Sequence, residues 1–190
     1  MFGYFKKSNI LSGLIVAFFT FFIALLASIG SEVLMKTVKD LWVAVLLLLI
    51  IIALGIFFDI IGTAAAAADL PPFNAKAAKK VFGAYQAVKI TKNASAVANY
   101  CNDVIGDIAG TLSGAVGAGI VFNLVHSFSF SDTILTGAVM TSFIAAITVG
   151  GKSLGKDVAI ARSNSIIFQV ARALGWWENM TGLELFKDRR

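Results

Sequence analysis

Two runs of side chains without charge constrain this chain more than any other feature. Ile10 to Ile29 contains no Asp, Glu, Lys or Arg, and Leu41 to Ile61 contains only Asp59, near its end. Each matches the roughly 20 apolar residues that cross a bilayer's hydrocarbon as a helix. A soluble fold would leave too much of this surface in water, because 58% of the residues are hydrophobic, 14% are charged and the mean hydropathy is +0.84. Two weaker spans follow. Val104 to Val125 is rich in Gly, Ser and Ala and begins beside Asp107, and Thr133 to Val149 is short but uncharged. Their glycines suit packing against other helices. Lys6 and Lys7 ahead of Ile10 resemble the start of a signal peptide, but the apolar core is too long and Ser28 to Ser31 is a weak cleavage signal, so the segment is expected to remain as an anchor.

The charges orient the spans. Lys6 and Lys7 precede the first; Lys76, Lys79, Lys80, Lys89 and Lys92 lie between the second and third; three Lys and four Arg follow residue 150. The other two loops carry Lys36 and Lys39 balanced by Glu32 and Asp40, and Asp132 near His126. The positive-inside rule then puts both termini and the middle segment in the cytoplasm, as an even number of crossings requires. The net charge of +5 suits anionic headgroups better than nucleic acid, since the basic residues flank apolar blocks and form no soluble face. Asn93-Ala94-Ser95 and Asn179-Met180-Thr181 match the glycosylation sequon on that cytoplasmic side and are read as chance matches. Phe2, Tyr4 and Phe5 suit the inner interface.

The middle segment is more than a linker. Ala64 to Ala68 favours helix, Pro71 and Pro72 are expected to break the chain, and Ala75 to Ile90 repeats apolar residues at helical spacing among lysines. A short helical hairpin against the headgroups is the expectation. In the tail, Ile166, Ile167, Val170, Ala171 and Leu174 form an apolar stripe beside Arg162 and Arg172, and Trp176 and Trp177 suit an interfacial helix. The fold class is therefore an all-α membrane protein: four transmembrane helices, a cytoplasmic helical hairpin and a C-terminal amphipathic helix.

Acidic residues in hydrocarbon are costly and mark an ion path or a paired structural charge. Asp59 closes the second span, Asp103 and Asp107 open the third, and Lys152 follows the fourth, so all four fall on the cytoplasmic side of the topology above. Convergence on a cation-binding vestibule is one reading; wetting at headgroup level is the other, and it is preferred for Asp69 beside Pro71 and for His126. Asp103 and Asp107 share a helical face with Asn99, while Asn102, Gly106, Gly110, Gly114 and Ala118 form a ridge of small residues that would let another backbone approach. The single cysteine, Cys101, excludes an intramolecular disulfide, and with one histidine there is no zinc-ligand cluster. Enzymatic chemistry is not expected: Cys101 has no nearby histidine, and Lys152-Ser153 is too common a pair to carry it.

Phe57-Phe58-Asp59-Ile60-Ile61-Gly62-Thr63-Ala64, then Tyr100-Cys101-Asn102-Asp103-Val104, then Gly151-Lys152-Ser153-Leu154-Gly155-Lys156-Asp157-Val158-Ala159 resemble, in order and spacing, the transmembrane domain of the cyclin M and CorB/CorC magnesium transporters. The resemblance covers about residues 41 to 175. It implies a homodimer that moves magnesium as its substrate, with sodium coupling a further implication, and metal ligands at Asp59, Thr63, Asn102, Asp103 and Asp107. The corresponding domains are 1–40 as an additional helix and outer loop, 41–160 as the family-like domain, and 161–190 as the interfacial tail. The implied location is a prokaryotic plasma membrane.

Three departures from the family stand at the ligand positions. Gly62 replaces a glutamate, Asp103 an asparagine, and Lys152 an acidic residue, with Gly155 in place of a proline. An ammonium beside a divalent-cation site adds like charge, or takes the cation's place by pairing with Asp59, Asp103 or Asp107. The alternative function is thus a non-transporting scaffold or accessory protein in which Lys152 is an internal counter-charge. No nucleotide-sensing pair of the cystathionine-synthase type is expected after Val149, which leaves regulation to a separate protein.

Overall fold

A computed structural model describes residues 7–37, 40–128 and 133–182. Phe2, Tyr4, Phe5, Lys6, Lys39 and Asp132 lie outside them, as does the side chain of His126. The described residues form helices and turns with no strand. Four helical stretches are long and apolar enough to cross a membrane: Gly13–Gly30, Leu41–Ala67, Ala94–Val125 and Ile134–Ala161.

The helices run in the order α1 (Lys7–Thr37), α2 (Leu41–Ala67), α3 (Leu70–Ala78), α4 (Ala84–Lys92), α5 (Ala94–Ala98), a π-helical segment (Asn99–Gly106), α6 (Asp107–Phe128), α7 (Thr133–Ala161) and α8 (Ser163–Thr181). Asp40 caps α2: its carboxylate accepts a hydrogen bond from the Trp42 N–H at 2.9 Å, and its carbonyl accepts one from Ala44 at 3.1 Å. Pro71 and Pro72 mark the expected break, since α2 ends at Ala67, four residues before Pro71. They occupy the first turn of α3, where a missing N–H costs nothing. The helical spacing read over Ala75 to Ile90 is carried by two helices, because the backbone is interrupted after Ala78, where Lys80 (φ 55°) and Gly83 (φ 83°) adopt left-handed backbone.

By contact the chain divides into two compact units, Met1–Ile51 with Gly110–Ile144 and Ile52–Ala109 with Ala145–Arg190. In the first, Ala44 and Leu48 of α2, Ser113, Val116, Ile120 and Val121 of α6, and Ile144 of α7 are buried. Ile144 Cδ1 and Cγ1 occupy the space over Gly117 where a side chain would stand. None of the Gly13–Gly30 stretch of α1 is buried, so its apolar surface is left for lipid.

The second unit has its own core, made by Ala64 and Ala65 at the end of α2, Phe73 of α3, Ala87, Val88 and Ile90 of α4, Ala159 of α7, and Ile167 and Ala171 of α8. Helix α4 packs against both α3 and α8. Helix α8 presents Ser163, Ile167, Ala171 and Gly175, all buried, as a ridge at four-residue spacing. A side-chain latch joins the start of α3 to the start of α8, with the Asp69 N–H donating to Asn164 Oδ1 at 2.8 Å. Asp69 is exposed, as expected.

Candidate functional site

The site lies in the second unit and is built on glycines. Ile56 side-chain atoms fill the space over Gly151, and Ile60 Cγ1 lies 2.7 Å from where a Cβ on Gly155 would stand. The end of α7 therefore approaches α2 closely. On the other side of α2, Ala109 Cβ lies 2.9 Å from the corresponding position on Gly55, and the Asn102 carboxamide and Cys101 Cβ lie over Gly62. Small residues thus seat both the π-helical segment and α7 against α2.

Asp59 is 3% exposed, two turns inside α2 and not at its end. Lys152 Nζ stands 3.6 Å from Asp59 Oδ1, and Lys156 Nζ stands 3.9 Å from Oδ2. The two lysines are four residues apart and so share a face of α7. Lys152 Nζ also lies 3.4 Å from the position a Cβ would take on Gly106, which brings the same ammonium to the π-helical segment. Of the three acids open to Lys152 from sequence, the ion pair is with Asp59.

Both ion pairs are long, and Asp59 Oδ2 is buried without a hydrogen-bond donor among the described residues. Asn102 Oδ1 and Thr148 Oγ1 are in the same condition. Thr148, Lys152 and Lys156 follow one another at four-residue spacing along α7. Buried acceptors without donors are uncommon and call for a water, an ion or a functional reason.

The remaining candidates sit differently. Thr63 is half-buried on α2, whereas Asp103 and Asp107 are exposed. The shared face expected for Asn99, Asp103 and Asp107 assumed α-helical spacing, and the π-helical geometry of Asn99–Gly106 changes it, since one turn there takes more residues. Among the described residues no three His, Cys, Asp or Glu side chains converge as metal ligands. The ridge of small residues behaves unevenly: Gly106 meets Lys152, but Gly110 and Gly114 have nothing within 4 Å of a would-be Cβ.

The sequence alone assigns no role to Lys156 or Thr148. Their spacing from Lys152 was the available signal, but it required α7 to continue past Val149, as it does to Ala161. Lys89, placed with the headgroup-facing lysines, is instead 5% exposed, and its ammonium lies 4.5 Å from the centre of the Tyr85 ring.

Comparison with protein-family models, curated proteins and solved structures finds no match.

Proposed function

We propose that this chain is a non-transporting membrane scaffold or accessory protein whose buried acid is neutralised from within. The observation that carries the proposal is the arrangement of Lys152 and Lys156 around Asp59. Two ammonium groups on one carboxylate leave net positive charge where a divalent cation would need negative charge. In this reading α3 and α4 form the cytoplasmic hairpin, α8 lies at the interface, both termini are cytoplasmic, and the protein acts as a homodimer without catalysing a reaction.

Cation transport is the second reading, with magnesium as the substrate and sodium as the coupling ion. It is favoured by the unfilled acceptors Asp59 Oδ2 and Asn102 Oδ1, which are the hard oxygen ligands such ions take. The family resemblance supports the same reading. Flux into proteoliposomes loaded with a magnesium-sensitive dye separates the two. The scaffold reading expects uptake equal to protein-free liposomes, with or without a sodium gradient. Uptake that Asp59→Asn abolishes would establish transport.

A further inference from the structure

The second unit also holds a cavity of about 350 Å³, away from Asp59, where the turn between α3 and α4 meets the end of α8. Its lining includes Lys80, Phe82, Tyr85, Gln86 and Asn179. The two sides are fixed to each other. Arg172 Cγ and Cα lie 2.7 and 2.9 Å from the Cβ position of Gly83, the Gln86 carboxamide lies over Gly175, and Gln86 Nε2 donates to Glu178 Oε2 at 3.0 Å.

Around the cavity the surface is apolar and cationic together. Phe82, Trp176, Trp177 and Met180 are 51%, 62%, 40% and 68% exposed, the pattern of side chains that settle at headgroup depth. Helices α3, α4 and α8 and the turn between the first two expose Lys76, Lys79, Lys80, Lys92 and Arg172 against a single carboxylate, Glu178, which Gln86 already engages. That imbalance suits an anionic surface.

We infer that this cavity is a binding site for the phosphate-bearing headgroup of an anionic lipid, with the Lys80 ammonium and the Asn179 carboxamide as donors to the phosphate and Phe82 and Tyr85 against its glycerol. A volume of this size is in the range of small-ligand pockets. The inference rests on reading α3, α4 and α8 as lying at the headgroups. It concerns a different site from Asp59.

Native mass spectrometry of the full chain, released from nanodiscs of equal parts phosphatidylglycerol and phosphatidylcholine, tests it. Lys80→Asn removes the ammonium while supplying a residue that tolerates the left-handed backbone of position 80. Asn179→Ala removes the second donor, and Lys92→Gln, an exposed lysine that does not line the cavity, is the control. The expected result is retained phosphatidylglycerol on the native chain, reduced about tenfold by Lys80→Asn, as the loss of a charge-assisted contact implies, reduced by Asn179→Ala, and unchanged by Lys92→Gln. Equal retention of the two lipids, or equal losses from Lys80→Asn and Lys92→Gln, would overturn the site while leaving the interfacial reading standing. Inorganic phosphate bound in place of lipid, with no preference for phosphatidylglycerol, would overturn the lipid assignment. Failure of the chain to enter nanodiscs would overturn both the inference and the membrane reading beneath it.

Discussion

Burying a carboxylate costs several kcal/mol unless opposite charge meets it, and removing one partner of a buried pair is worse than never having had the pair. Asp59 cannot reach water, since its side chain is 5% exposed, whereas those of Lys152 and Lys156 are 22% and 52% exposed and can turn their heads outward. The two partners should therefore respond unequally to removal. Lys152→Met leaves the acid with only the longer pair to the half-exposed Lys156 and is expected to lower unfolding stability in detergent by about 3 kcal/mol. Asp59→Asn is expected to cost less, because the lysines relax. The double variant Asp59→Leu with Lys152→Met should recover most of the loss, as apolar replacements of buried pairs do. Chemical unfolding of the four proteins measures these differences. A larger loss from Asp59→Asn than from Lys152→Met would mean that the carboxylate organises the site by some other contact.

Among the helices, glycines decide how closely neighbours approach, and they are not equivalent. Gly83 combines φ 83° with the Arg172 backbone 2.9 Å from its Cβ position, so Gly83→Ala meets both backbone strain and a contact that cannot swing away. A loss of about 2 kcal/mol is expected, against a smaller one for Gly151→Ala, where the obstacle is the flexible end of Ile56. Gly110→Ala and Gly114→Ala meet open space and should leave the monomer's stability unchanged or slightly raised. If the homodimer of the proposed function forms through that open ridge, these two variants will nonetheless lower the dimer fraction in cross-linking. Unchanged cross-linking would remove the ridge from the interface. Long runs without charge made the spans legible, but not their ends. Helix α2 runs past Ile61 through four alanines that favour helix, and α7 runs past Val149 through Lys152 and Lys156, where charge no longer signals a boundary once Asp59 offsets it. The π-helical segment carries no sequence signature, so the facing of Asp103 and Asp107 was beyond reach. The interruption between α3 and α4 depended on Lys80 taking a positive φ, a conformation lysine rarely adopts.

Across the whole molecule, the positive-inside rule applied to the basic residues around four apolar helices predicts a topology with a direct test. In a Cys101→Ser background, single cysteines replacing Glu32, Lys92 and Arg162 report sidedness by labelling with an impermeant thiol reagent in right-side-out vesicles. Glu32 should label from outside, and Lys92 and Arg162 only after the membrane is opened. Lys92 and Glu32 labelling from the same side would reject the orientation. The central claim is that Asp59 is already neutralised, and isothermal titration of the purified protein with magnesium addresses it most directly. No saturable binding by the native chain, with binding gained in Lys152→Glu as the ammonium gives way to a second carboxylate near Asp59, is the predicted result. Saturable binding by the native protein that Asp59→Asn removes would contradict it.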